Sequence, residues 1–163
     1  MGDSCAAMSA MGDIDEIKQV KYRYLRALDT KNWDDFAATL TEDVVGTYGS
    51  SLGDDQLNFS DRDALVQFMR TSLGPEIITE HRVNHPEIEV DGDEARATWY
   101  LQDRVIAADF NFMLFGAAFY HDSYRRTADG WRISATGYQR TYDATMSLEN
   151  LDFKLKLGAA LHL

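Results

Sequence analysis

The sequence predicts an α+β domain in which N-terminal helices precede a strongly curved antiparallel sheet. Three observations support this fold class. Apolar residues at helical spacing dominate the chain before Gly74-Pro75, alternating residues dominate it afterwards, and Asp-Gly pairs separate the later strands. Helices followed by a run of strands are typical of α+β architecture. A sheet that curves around helices leaves a cone with one open end, where we expect a pocket.

Three helices are predicted in the first part of the chain. One side of the first carries apolar residues at helical spacing, namely Ile14, Ile17, Val20, Tyr24, Leu25 and Leu28. A capping residue precedes each helix: Asp13, Asn32 and Ser60. The predicted helices run from Asp13 to about Lys31, from Trp33 to about Leu40 and from Asp61 to Ser72. The first two form a hairpin with one apolar side.

Most of the remaining chain is strand-like. The predicted strands are Val44–Tyr48, Pro86–Val90, Glu94 to about Ala107, Ala117–Thr127 and Trp131 to about Tyr142. Asp91-Gly92 and Asp129-Gly130 supply hairpin turns, and the Gly/Ser/Asp run 49–55 is predicted to be a loop. Within the strand that begins at Glu94, alternation places Ala95, Ala97, Trp99, Leu101 and Asp103 on one face.

Charge and cysteine content exclude several classes of protein. The formal net charge is −11, so we expect no nucleic-acid partner and no membrane partner, because phosphate contacts need clustered Lys and Arg. Cys5 is the only cysteine, which excludes an intramolecular disulfide and a thiolate metal site. The sequence has no run of about 20 apolar residues and no signal-peptide pattern. We therefore expect a cytoplasmic protein.

The chain is long enough for one domain, which we place at residues 13–147. Residues 1–12 are predicted to be a disordered leader. Residues 148–163 form an apolar tail that packs as a final helix or exchanges onto a partner subunit. Walker, dinucleotide-binding and nucleophile-elbow patterns are missing from the sequence, so we expect no cofactor. His81 and His85 would lie about 13 Å apart on a strand, without further ligands, so we also expect no metal.

Three segments carry a resemblance to a known family. They are Leu28-Asp29-Thr30-Lys31-Asn32-Trp33, His81 with the later run Pro86–Asp93, and Tyr124–Arg126 with Asp129–Ile133. With these segments the chain resembles the SnoaL-like branch of the nuclear-transport-factor-two-like superfamily, over roughly residues 14–142. This branch includes scytalone dehydratase, bile-acid 7α-dehydratase and lindane dehydrochlorinase. The resemblance implies a cone-shaped α+β barrel and a homodimer or homotrimer.

Asp29 and His81 are the main catalytic candidates. Taken alone, Asp29 fits a solvated residue at a helix end, and His81 fits a partly buried histidine bonded to backbone. The resemblance instead implies that His81 is the proton-transfer group and that Asp29 orients it. A carboxylate on one ring nitrogen fixes the tautomer and leaves the other nitrogen free as a base near neutral pH.

Two tyrosines are candidate donors to a substrate carbonyl. Tyr24 precedes Asp29 by five residues, which is about 140° around a regular helix, so both reach one pocket only if the helix frays near Leu28. Tyr24 alternatively belongs to the core. Tyr48 is the second candidate phenol.

Four further residues are candidates for substrate binding. Asp103 lies on the strand face that we expect to line the cone, although it could equally pair with Arg104 at the strand end. Strand alternation sends only one of Arg125 and Arg126 inward, and we consider Arg125 for the site. Trp99 and Phe119 are candidate parts of the apolar lining.

These candidates support three hypotheses. The first is a cofactor-independent lyase, a dehydratase that acts on a hydrophobic, steroid- or polyketide-like cyclic carbonyl compound through His81 and Asp29. The second is a ketosteroid-isomerase-like or polyketide-cyclase-like isomerase that uses Asp103. The third is a non-catalytic carrier of a hydrophobic ligand on the same scaffold.

Overall fold

The computed structural model describes residues 2–48 and 57–162, with side chains from Gly12 onward. Three helices accompany a six-stranded curved sheet. The helices are α1 (Gly2–Thr30), α2 (Trp33–Ala38) and α3 (Arg62–Ser72). The strands are β1 (Leu40–Tyr48), β2 (Leu57–Phe59), β3 (Ile78–Asp91), β4 (Glu94–Ala107), β5 (Phe112–Thr127) and β6 (Gly130–Ser147). The predicted α+β class is confirmed, and the sheet does not close into a complete barrel.

The helix ends follow from local capping chemistry. The N–H of Lys31 donates to the Leu28 carbonyl and that of Asn32 to the Ala27 carbonyl, which ends α1 in a Schellman motif. Asn32 then caps α2 as predicted, because its side chain accepts from the N–H of Asp35.

Two predicted helix starts were wrong. α3 is capped by Asp61 rather than Ser60, since the Asp61 carboxylate accepts from Ala64 N–H at 2.7 Å. The α1 backbone begins at Gly2 rather than at Asp13. Side chains before Gly12 lie outside the description, so the leader and the domain limits stay predictions.

The sheet has the order β2-β1-β6-β5-β4-β3. The Asp-Gly turns were predicted correctly: β3 pairs antiparallel with β4, and β5 pairs antiparallel with β6. β1 pairs with β6 in parallel, which the sequence analysis did not predict. At this seam a Cβ on Gly137 would overlap the Thr47 carbonyl, so only glycine fits.

The inner face of the sheet packs on α1 to form the core. β4 alternates as predicted, with Ala95, Ala97, Trp99, Leu101 and Asp103 all buried. The outer face is more open, and it carries exposed Phe115, Phe119 and Tyr142. The sheet therefore presents an inner layer of buried aromatic and polar side chains to the C-terminal half of α1.

The tail does not form the predicted helix. Residues 148–162 have an irregular backbone, anchored by buried Leu148 and by the N–H of His162, which donates to the Thr30 carbonyl. The predicted loop 49–55 lies outside the described residues. Within the described parts of the chain, no helix is long and apolar enough to cross a membrane.

Candidate active site

Asp29 and His81 are in direct contact. The Asp29 Oδ1 atom lies 2.6 Å from His81 Nδ1, and Oδ2 accepts the backbone N–H of His81 at 2.9 Å. The Thr79 hydroxyl donates to Oδ1 at 2.9 Å. The Asp29 and His81 side chains are 22% and 11% exposed, so the pair is sheltered but not sealed. The carboxylate is therefore fixed by three groups of β3.

The local sequence explains why the two residues meet. Asp29 belongs to the last turn of α1, where the Schellman motif stops the helix, and α1 packs against β3. Thr79 and His81 are two apart on β3, so their side chains point to the same face of the sheet, toward the helix end. Because a carboxylate only accepts hydrogen bonds, the neutral form of the ring carries its proton on Nδ1 and keeps its lone pair on Nε2.

A second ionic pair lies beside this one. Asp103 is the direct cross-strand neighbour of His81, which places both side chains on the inner face. Both carboxylate oxygens of Asp103 accept from the guanidinium of Arg140, at 2.6 Å each. This bidentate pair is largely buried, with side chains 3% and 13% exposed. Burial lowers the pKa of Arg140, but the hydrogen bonds and charge of Asp103 outweigh it and raise that pKa overall.

A row of tyrosines continues from Arg140 into the core. The Arg140 guanidinium lies over the Tyr138 ring, 4.9 Å from its centroid, and Tyr138 packs against Tyr48 at 5.5 Å. The hydroxyls of Tyr48 and Tyr24 lie 3.0 Å apart. Burial raises the pKa of both phenols above the ordinary value, so they are neutral and able to donate hydrogen bonds at physiological pH. These contacts form one contiguous strip of polar and aromatic side chains, the inner strip, which consists of Asp29, His81, Asp103, Arg140, Tyr138 and Tyr48, with Tyr24 behind it.

A buried ion pair between Lys21 and Asp122 lies beneath this strip, between α1 and β5. Lys21 Nζ lies 2.7 Å from Asp122 Oδ2, and both side chains are fully buried. Asp122 also accepts from the hydroxyls of Tyr124 and Thr136, at 2.9 and 2.8 Å. Burial lowers the pKa of Lys21, while the charge of Asp122 opposes that shift. The ammonium group lies 3.4 Å from the centroid of the Tyr120 ring.

Sequence comparison assigns the family. Residues 9–136 match the profile of the SnoaL-like domain. The chain belongs to this family. It is 29% identical to the uncharacterized protein Rv2910c of Mycobacterium tuberculosis over 131 residues, which cover 80% of this chain and 86% of that protein.

Solved structures with the same fold as this SnoaL-like domain include two neighbours named for elimination chemistry. A scytalone dehydratase-like protein of Novosphingobium aromaticivorans matches with a TM-score of 0.75 and 16% identity, over 92% of this chain and 93% of that one. A hexachlorocyclohexane dehydrochlorinase (LinA) matches with a TM-score of 0.72 and 16% identity, over 89% and 94%. At such identities the likeness establishes the fold alone.

The SnoaL-like domain places five predicted site residues on its inner strip or just behind it. Asp29, His81, Asp103, Tyr48 and Tyr24 are connected as described above. α1 does not fray at Leu28: Tyr24 is fully buried and reaches the strip through Tyr48 rather than directly beside Asp29. Trp99 is also on the inner face but fully buried, with its indole N–H donating to the Tyr124 hydroxyl at 3.2 Å.

Two predicted site residues face the wrong way. Phe119 is on the outer face, 38% exposed, and packs on Tyr100. Arg125 is at the surface, where it pairs with Asp43 and Glu94. Both residues lie on β5 at odd-numbered positions, whose side chains point away from α1. The sequence alone does not give the strand register, so it could not show which face of β5 is the inner one. Arg126 does not enter the site either, since it pairs with Asp13 and Asp93.

Sequence reasoning missed Arg140 and Tyr138, which do belong to the strip. Strand alternation could have indicated them, because Tyr138 and Arg140 are two residues apart in the predicted final strand and therefore lie on the same face. It also missed Lys21 and Asp122, because a lysine on a helix is by default solvated. Asp103 pairs with Arg140, whereas Arg104, the alternative partner considered, lies near Glu80 at the surface.

A cavity of about 510 Å³ opens on the outer side of the sheet. Charged residues of β3 and β4, aromatic residues of β5 and β6, and Phe153 from the tail line it. Its main lining residues, such as Arg82 and Phe115, alternate with the inner strip. His81 is not among its lining residues, but Asp103, the cross-strand neighbour of His81, is.

Proposed function

We propose that the protein is a cofactor-independent lyase that eliminates water from a hydrophobic cyclic carbonyl compound of the steroid or polyketide type. His81 is the base in this proposal. The observation that supports it is the 2.6 Å contact between Asp29 and His81 Nδ1, which leaves Nε2 free. The dehydratase and dehydrochlorinase among the structural neighbours agree with elimination chemistry but do not identify a substrate.

In the proposed reaction, the proton that His81 removes from carbon is the one that it returns to the leaving hydroxyl. Nε2 of His81 removes the proton from the carbon next to the carbonyl, and a carbon–carbon double bond forms as the neighbouring C–O bond breaks. The imidazolium returns the proton to the leaving hydroxyl, which departs as water. Asp29 stabilises the imidazolium, and the neutral Tyr48 phenol, backed by Tyr24, donates to the developing enolate oxygen.

The bidentate contact of Arg140 supports His81 over Asp103 as the base. An isomerase that uses Asp103 needs a carboxylate free to accept a proton from carbon. Here both oxygens of Asp103 accept hydrogen bonds from a guanidinium at 2.6 Å, so neither oxygen is free to take a proton from substrate. A separation of Asp29 and His81 beyond hydrogen-bond distance would favour the non-catalytic carrier, and the two side chains are in contact.

The test is α-proton exchange with a panel of cyclic β-hydroxy carbonyl compounds in D₂O, followed by NMR, together with enone formation. We expect His81→Ala to lose about 10²–10⁴-fold in both rates. His121→Ala is the matched control, because His121 is exposed on the outer face of β5. Equal rates in wild type and His81→Ala would remove the proposal.

We also propose a cytoplasmic homo-oligomer that forms through the outer face of the sheet. Phe115, Phe119, Tyr142 and Met146 are exposed there in one region of β5 and β6. Light scattering during size-exclusion chromatography should give a dimer or trimer mass, and Phe119→Glu should shift it toward the monomer. A monomeric wild type at micromolar concentration contradicts this assembly.

A further inference from the structure

Lys31 breaks two local rules at once. It occupies the C′ position after α1 with a φ of 63°, where the left-handed backbone favours glycine. Its side chain is nevertheless buried, with the residue only 4% exposed. Lysine is among the residues least often buried without a partner. A glycine would serve the helix end better, so the side chain itself needs an explanation.

The amine of Lys31 has no hydrogen-bond partner among the described residues. Burial lowers the Lys31 pKa, and the charges of Asp29 and Glu76 oppose that shift without supplying a hydrogen bond. An ammonium with three unused donors is costly away from water. An acceptor that enters from outside would satisfy it.

A cavity of about 140 Å³ adjoins this side chain. Two other cationic or titratable groups line it: Arg70, in the last turn of α3, and His162, in the tail. The remaining wall is mainly apolar and comes from Trp33, Leu73 and Pro75. No ion pair of Arg70 occurs among the described residues. The cavity thus combines a cationic end with a small apolar body.

We propose that this cavity is a binding site for a small monocarboxylate with a short apolar chain. The carboxylate accepts from Lys31 and Arg70, and the apolar chain packs on Trp33, Leu73 and Pro75. The site is distinct from the inner strip: Asp29 turns its carboxylate to His81 and Thr79, whereas Lys31, two residues later, lines the other cavity. The volume admits about four to six heavy atoms.

Charge sets the limits of the site. Asp29 and Glu76 are the anionic groups whose charges act on Lys31, and they restrict the site to ligands of low charge. A monocarboxylate is compatible with this environment, whereas a doubly charged phosphate would meet more repulsion. The apolar wall further favours an organic acid over an inorganic anion.

Butyrate, with neutral butyramide as the matched ligand, tests the proposal by two-dimensional ¹⁵N NMR of the full chain. We expect butyrate to shift the Trp33 indole signal in a saturable manner and butyramide to bind at least about tenfold more weakly. Lys31→Met should weaken butyrate binding by at least about tenfold. Lys31→Gly, which relieves the left-handed backbone and so protects the fold, should do the same.

Two controls isolate the site. Lys18→Met removes a lysine on α1 that lies near Asp15 at the surface, and it should leave butyrate binding unchanged. His121→Ala, on the outer face of β5, should also leave it unchanged. Because the readout is butyrate binding rather than turnover, this test stands apart from that of the lyase. An unshifted Trp33 signal, equal binding of butyramide, or full binding by both Lys31 variants would overturn the proposal.

Discussion

At the scale of single residues, the Asp29 carboxylate does more than touch an imidazole. It accepts from the Thr79 hydroxyl and the His81 backbone as well as from the ring, so the helix end, the strand and the base are tied together. A substitution at Asp29 therefore changes the position of His81 and not only its charge partner.

The two carboxylates of the strip offer a sharper comparison. If His81 is the base, Asp103→Asn keeps a hydrogen-bond acceptor for Arg140 and should reduce α-proton exchange by less than about tenfold. His81→Ala should reduce it by about 10²–10⁴-fold. The measurement is the exchange rate of both variants with one substrate, alongside their unfolding midpoints. The opposite order of losses would assign the base to Asp103.

At the scale of elements, α1 is joined to β5 by charge as well as by apolar packing. The fully buried pair of Lys21 and Asp122 links them, and the hydroxyls of Tyr124 and Thr136 donate hydrogen bonds to Asp122 as well. Replacement of one partner leaves the other buried and unpaired. The packing of α1 on the sheet is therefore sensitive to a single substitution at Lys21 or Asp122.

We expect Lys21→Met to lower the free energy of unfolding by about 3–5 kcal/mol. The double variant Lys21→Met/Asp122→Asn should recover part of this loss, because no uncompensated buried charge remains. Urea denaturation followed by circular dichroism measures both. A single variant as stable as wild type would show that water or local opening already reaches this pair.

The sequence predicted elements best where the signal is local. Asn32 caps α2 through Asp35 as predicted, and the Asp-Gly turns fix two hairpins. His85 shows the limit of a local rule: a residue before proline is expected to be extended, yet its φ is 50°. A register shift between Asn84 and Glu87 accounts for the difference, since a bulge requires an irregular residue.

Long-range features of the site escaped prediction for a related reason. Asp29 and His81 were paired through the family resemblance, not through their spacing. Arg140 was missed because its partner, Asp103, is two strands away in the sheet, and nothing in the local sequence links the two residues. Phe119 was wrongly predicted to line the pocket, because strand alternation tells which residues share a face but not which face is the inner one.

At the scale of the whole molecule, the phenols make the core sensitive to alkali. Burial raises the pKa of Tyr24, Tyr48, Tyr120 and Tyr124 above the ordinary value near 10. Above that pH the unfolded chain releases these protons while the folded chain retains them. The free energy of unfolding therefore falls as pH rises through and beyond 10.

An ultraviolet titration of tyrosine ionisation tests this at equilibrium. We expect only part of the eight tyrosines to ionise in the native protein near pH 10, and the rest to ionise together with the loss of circular dichroism at higher pH. In urea all eight should ionise in one transition. One normal transition in the native protein would indicate that solvent reaches the inner phenols.

The parallel seam between β1 and β6 also determines the order in which the chain can become a sheet. Thr47 leaves the ribosome long before its partner Gly137, whereas α1 and β3 are available much earlier. Nascent chains that stop short of β6 already contain both Asp29 and His81, yet they carry β1 with an unpaired edge that favours association with other chains. Synthesis that stalls in β5 should therefore place the greatest demand on chaperones.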